Sequence, residues 1–217
     1  MHATIFIGSL KQDANDSNTV ELSKRVKAEF ANYGVTCTLR YLLNRPMAHG
    51  TDRVVDAPDD QAEIYFRDIH RSDIVMLATP TWWGVHSSLT QQLMERIGGY
   101  DDEYIKSGKT PLYGKTFGCV ITASNDGFQH IEGILYTFAN SMGFTIPPEA
   151  HVTWGTATNN EHNPVDNEET ENQVKNAVRN LVLWSKVLKK TNLGPVALNI
   201  KPGRVGRLSN DEIGRSR

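Results

Sequence analysis

The 217-residue chain has a formal net charge of −2 and is 39% hydrophobic, which argues against disorder and against a generic nucleic-acid field. Its length suits one large α/β domain with a full core, or at most two small ones. No apolar run approaches the roughly 20 residues that cross a bilayer, so neither nucleic acid nor a membrane is expected as a partner.

Met1-His-Ala-Thr-Ile-Phe-Ile7 lacks a basic segment ahead of a signal-type apolar stretch and enters a strand directly. Cys37 and Cys119 are the only cysteines. Two free thiols in strand-like runs suit a reducing compartment and cannot by themselves build a zinc or iron–sulfur site. A cytoplasmic protein without a metal is expected.

Ala3 to Ile7 reads as the first strand, and it opens into Gly8-Ser-Leu-Lys-Gln-Asp-Ala-Asn-Asp-Ser-Asn-Thr19. Leu22, Val26 and Phe30 then recur every fourth residue, a helical stripe with Gly34 as its stop. The first-turn N–H groups of such a helix lack internal partners and lie at the positive end of its dipole. Ser9, Ser17, Asn18 and Thr19 add side-chain donors and Lys11 adds a charge, which is the chemistry that holds a phosphate. The competing reading is ordinary capping, with Asn18 and Glu21 spaced as a capping box.

Thr36 to Leu42 is the second strand, and Ala57 to Ser72 an amphipathic helix through Ile64, Phe66 and Ile69. The third strand, Asp73 to Thr79, has a continuous apolar run expected of a strand buried on both faces. It ends in Pro80-Thr-Trp-Trp-Gly84. Large flat side chains at a strand exit are well placed to flank a planar aromatic ligand, with Gly84 allowing close backbone approach. The plainer alternative is that Trp82 and Trp83 cover the sheet edge.

A third helix starts near Ser87 or Ser88, carries Leu89, Leu93 and Ile97, and is expected to stop at Gly98-Gly99. Tyr100 to Pro111 reads as a surface connection. Lys115 to Ala123 is the fourth strand, followed by the loop Ser124-Asn-Asp-Gly127 and a helix through Ile131, Leu135, Phe138 and Met142 that ends at Gly143. Ala150 to Trp154 is the fifth strand and Gly155 to Asn167 an exposed loop. The last helix opens at Glu168-Glu169 and closes at Lys186, Lys189 and Lys190, with Val174, Val178, Leu181, Ser185 and Leu188 as its stripe.

This alternation predicts a flavodoxin-like doubly wound five-stranded parallel sheet, order 2-1-3-4-5, over residues 1–190. Residues 191–217 form a basic carboxyl-terminal arm, extended or in contact with another subunit. In such sheets ligands bind beyond the carboxyl ends of the strands, where the winding reverses between strands one and three. The loops Ser9–Thr19, Pro80–Ser87 and Thr122–Phe128 all fall at that edge.

On these residues the chain resembles the NAD(P)H-dependent FMN reductase family over about residues 3–155. Gly8-Ser-Leu-Lys11 with Ser17-Asn-Thr19 resembles the family's phosphate loop. Pro80-Thr-Trp-Trp-Gly84, leading to Ser87 and Glu95-Arg96, resembles its flavin-ring loop and following helix, and Thr122 to Gly127 its second ring loop. Gln91 stands where many members carry lysine, and the insert between Lys11 and Ser17 is longer than in compact members. The cysteine cluster of the iron–sulfur branch is missing.

The resemblance implies FMN as cofactor and NAD(P)H as co-substrate, with a hydride passing from the nicotinamide through FMN to a flavin, quinone or similar small-molecule acceptor. It assigns Ser9, Lys11, Ser17, Asn18 and Thr19 to the phosphate. Pro80, Thr81, Trp82, Trp83 and Gly84 would lie at the N5 side of the ring, and Thr122, Ala123, Ser124, Asn125, Asp126 and Gly127 near its pyrimidine edge. The flavin carries the redox chemistry, so no protein acid or base is required. His86 and His130 follow ligand loops and could assist, although a histidine near a helix start is more often a surface or capping residue. Relatives imply a homodimer or homotetramer. The alternatives are a flavodoxin-type electron carrier and a flavin-free module on the same fold.

Overall fold

The computed structural model describes residues 1–107, 110–124, 127–155 and 168–191, without the side chains of residues 102, 103, 106 and 107. Among the described residues there are six strands: β1 (His2–Ile7), β2 (Thr36–Tyr41), β3 (Ile74–Trp82), β4 (Val85–His86), β5 (Thr116–Ala123) and β6 (His151–Gly155). The helices are α1 (Asn18–Asn32), α2 (Ala62–Arg71), α3 (Ser88–Ile97), α4 (Gly99–Ser107), α5 (Phe128–Ser141) and α6 (Glu168–Thr191). Five strands run parallel in the order β2-β1-β3-β5-β6, and β4 pairs antiparallel with the end of β3. With that short return strand set aside, the order is the expected 2-1-3-4-5.

The continuous apolar run of β3 is buried on both faces, as its sequence predicts. Ile74, Met76 and Ala78 join the core beneath α1 and α6, while Val75 and Leu77 join the core beneath α2, α3 and α5. Successive strand side chains point to opposite faces, so one uninterrupted run feeds both layers. The parallel register brings Ile7 beside Ala78 and Thr122 beside both Pro80 and Trp154, aligning the strand exits along one rim.

Three expectations are corrected. α3 ends at Ile97 with Gly98 as its cap, as expected, but Tyr100 to Pro111 is not simply a surface connection. Gly98 has right-handed helical backbone, α4 follows directly, and Tyr100 is 0% exposed. Its ring meets Phe66 edge-on at 5.6 Å and lies under the Arg53 guanidinium. A Cβ on Gly99 would sit 2.5 Å from the Arg53 backbone nitrogen, so the glycine serves close packing of the α3–α4 junction. Second, β3 continues through Pro80 to Trp82, making the expected loop a strand end and tight hairpin. Third, the cap of α1 is Ser17, whose Oγ accepts from the Val20 N–H at 3.3 Å; Asn18 is the first helical residue.

The expected loop beyond Gly155 and the arm beyond Thr191 lie outside the described residues. Among the described residues no helix is long and apolar enough to cross a membrane. None of their histidine, cysteine and acidic side chains form a group of three or more suited to hold a metal ion.

Candidate functional site

At the carboxyl rim a cavity of about 240 Å³ is bounded by the exits of β1, β3, β5 and β6. Ser9, Lys11, Ser17, Asn18 and Thr19 line one side, Pro80, Thr81 and Trp82 a second, and Thr122, Ala123 and Ser124 a third. The three loops singled out in the sequence thus meet at one place, although more than a hundred positions separate Ser9 from Thr122.

Gly8 sets the path of the first loop. Its N–H donates to the Ala78 carbonyl at 2.8 Å, and a Cβ there would lie 2.2 Å from Thr90 Oγ1 and 2.6 Å from Ser87 Oγ. Only glycine lets this backbone rest on the first turn of α3. Beyond it, Ser9, Ser17 and Thr19 are 2%, 3% and 2% exposed. Ser17 Oγ donates to Ser9 Oγ at 2.8 Å, and Thr19 Oγ1 is hydrogen-bonded to Thr122 Oγ1 at 2.6 Å, tying α1 to the end of β5. The N–H groups of Asn18 and Thr19, in the first helical turn, have no intrahelical acceptor.

Lys11 is exposed and donates from Nζ to the Asp16 carbonyl at 2.7 Å, while the Tyr41 hydroxyl donates to the Lys11 carbonyl. Asp13 and Asp16 outnumber that one cation in the loop. The loop therefore favours an anion through oriented N–H and O–H dipoles at the helix start, not through net charge.

The second wall is the β3–β4 hairpin. Trp83 and Gly84 are its two turn residues, with φ of +50° and +79°, the positive pair of a type I′ turn. Its base is tied by the Ser87 N–H donating to Thr79 Oγ1 at 3.0 Å. The tandem indoles separate. Trp82, 50% exposed, lines the cavity; Trp83, 99% exposed, stands at the turn in solvent and does not line it. Gly127 holds φ +92°, and a Cβ on it would meet Thr81 Cγ2 at 3.1 Å and Gly84 Cα at 3.2 Å. Gly84 and Gly127 thus bring the second and third loops into contact. Asn125 and Asp126, between them and β5, lie outside the described residues.

Two buried polar atoms of lining residues have no partner: Thr81 Oγ1 and Trp154 Nε1. Trp154 and Leu10 also line the cavity, and reading the sequence did not single them out as site residues. The signal for Trp154 was its place at the carboxyl end of the last strand, beside Gly155. Leu10 carried no signal beyond lying inside the first loop.

The histidines divide as well. His86 Nε2 is hydrogen-bonded to Gln91 Oε1 at 2.7 Å, Gln91 in turn donates to Glu95 at 2.9 Å, and the buried His86 Nδ1 has no partner. His130 lies on a separate open groove with Met94 and Phe138.

A donor set of hydroxyls, helix N–H groups and an indole N–H, together with the Trp82 side chain, fits an FMN: phosphate oxygens suit the first and a flat ring suits the second. Comparison with known proteins agrees with this chemistry. Residues 1–159 match the family described as NADPH-dependent FMN reductase. Over 159 residues the chain is 28% identical to the divalent metal cation transporter MntH of Mycobacterium bovis, covering 71% of this chain and 23% of that protein. Over 96 residues it is 25% identical to 8-demethyl-8-aminoriboflavin-5′-phosphate synthase of Streptomyces davaonensis, covering 44% of this chain and 37% of that protein. Each match takes in well under half of the relative's length. The fold is similar to that of RosB, solved with bound 8-demethyl-8-formylriboflavin-5′-phosphate, with a TM-score of 0.74 at 19% identity over 88% of this chain and 81% of that one. By the span and order of this match, the chain belongs to the NADPH-dependent FMN reductase family.

Proposed function

We propose that this protein is an FMN-dependent NAD(P)H oxidoreductase that reduces a flavin, a quinone or a similar small-molecule acceptor. The observation that carries the reading is the convergence of three sequence-distant loops on one cavity at the start of α1, with unpartnered donors on its lining residues. When bound, FMN supplies the redox chemistry, taking a hydride from a reduced nicotinamide and passing two electrons to the acceptor.

The tasks of the chain are binding and orientation. Ser9, Ser17, Asn18 and Thr19 hold the phosphate with the first-turn N–H groups of α1, and Lys11 closes over it. Pro80, Thr81 and Trp82 flank the ring on one side, with Gly84 shaping their turn. Thr122, Ala123 and Ser124 flank it on the other, with Gly127 and the intervening Asn125 and Asp126 completing that loop. No general acid or base is assigned. The two cysteines, one buried and one partly buried, suit a reducing cytoplasm.

The visible spectrum tests this directly. The protein is expected to take up FMN stoichiometrically and turn yellow, and NADPH is expected to bleach it under anaerobic conditions. A yellow protein that NADPH leaves unbleached is a flavodoxin-type carrier. A protein that stays colourless with excess FMN refutes both.

A further inference from the structure

Leu10, Trp82, Trp83 and Val85 are exposed by 38%, 50%, 99% and 42%. Leu10 and Trp82 line the cavity mouth, and Val85 is the cross-strand partner of Trp82, so their side chains share one face of the hairpin. Trp83 follows Trp82 directly, at the turn of the hairpin. Its backbone is at odds with its side chain: φ is +50°, a conformation that strains a bulky residue and that asparagine or glycine adopts readily. The first position of a type I′ turn ahead of glycine favours asparagine. A fully solvated indole gains nothing from packing there, so neither the turn nor the core accounts for the tryptophan.

Resting on the reading of this cavity as an FMN site, we propose that Trp83 is the stacking platform for the second substrate, an uncharged planar aromatic electron acceptor such as a quinone or flavin ring. The platform adjoins the cavity yet lies outside it, where a transient ring can arrive and leave. Leu10, Trp82, Trp83 and Val85 carry no charge there, which favours a neutral ring over the diphosphate of a nicotinamide dinucleotide.

The test is Trp83→Asn in the FMN-loaded protein, with Trp83→Phe as the conservative control. Steady-state kinetics with NADPH would compare a naphthoquinone with ferricyanide, which has no ring to stack. For Trp83→Asn, Tm is expected to rise because the turn is relieved. The ratio of the naphthoquinone KM to the ferricyanide KM is expected to rise about tenfold, by analogy with the loss of one aromatic stacking partner. The rise is expected in KM with little change in kcat, and Trp83→Phe is expected to restore most of it. An unchanged ratio overturns the assignment. So does a raised FMN dissociation constant, which would place Trp83 on the cofactor, a shift confined to the NADPH KM, or a fall in sedimenting mass, which would make Trp83 a subunit contact. Wild type that bleaches with NADPH while Trp83→Asn keeps its ratio refutes the role of Trp83 alone; wild type that takes up no FMN refutes the site as well.

Discussion

Arg96 is 0% exposed, and all five of its N–H donors are used. Nε donates to the Asp52 carbonyl at 2.7 Å, and the two terminal nitrogens donate to the carbonyls of Ala48 and Arg53 at 2.9 and 2.8 Å. The same nitrogens grip Asp60 bidentately at 2.9 and 2.7 Å. One buried cation on α3 thus fastens the path from Ala48 to Asp60. The Arg96 hydrogen bonds hold the Asp60 carboxyl below its ordinary range, with the N–H groups of Ala48 and Ala62 adding to the effect. A depressed carboxyl contributes stability above its unfolded value, and that stability is lost as pH falls through the folded value. Asp60→Asn leaves a buried guanidinium without its countercharge and is expected to cost about 3–5 kcal/mol in denaturant unfolding at neutral pH. The variant should also lose much of the wild type's decline in stability below pH 4. The Glu95-Arg96 pair was visible as a motif, but its partners were not, since 36 positions separate Asp60 from Arg96.

At the scale of elements, Lys115 joins α2 to β5. It precedes the strand, is 9% exposed, and its ammonium donates to the carbonyls of His70, at 2.9 Å, and Ser72 at the end of α2. Burial pushes its pKa down to about 8; Asp73 opposes the shift and Lys189 adds to it. The unfolded chain therefore binds more protons than the folded one between about pH 8 and the ordinary lysine value near 10.5. In that window this group makes stability rise with pH. Lys115→Met is expected to remove that rise, seen as a smaller gain for the variant than for wild type in unfolding at pH 8 and pH 10. The strands and the helices with regular stripes were legible because their periodicity is local. The α4 segment was not, because its helix is short and its buried Tyr100 finds Phe66 and Arg53, both distant in sequence. The hairpin was hidden for a related reason: Trp83 is a poor type I′ residue by local preference.

Across the whole molecule, two cores sandwich one sheet and leave α6 with a face that neither core covers. Leu183, Trp184 and Val187 on that helix are 44%, 44% and 49% exposed, while Leu181, Val182 and Leu188 are buried. An exposed apolar strip of this kind is what the homodimer or homotetramer implied by the family resemblance would cover. Sedimentation of the full chain is expected to give the mass of two or four copies, and a chain ending at Lys190 is expected to fall in mass; a monomeric full chain, or an unchanged mass on shortening, counts against a subunit-spanning arm. The sequence by itself determined the layered architecture and the rim where the three loops meet, because runs buried on both faces and stripes of one period leave few ways to close a core. It also marked the residue types that an anionic, planar ligand needs. Only the tertiary structure decided which of them meet. It set Thr19 against Thr122, brought Trp154 and Leu10 to the cavity, and parted Trp82 from Trp83, because strand register and turn geometry, not spacing along the chain, fix where a side chain ends up.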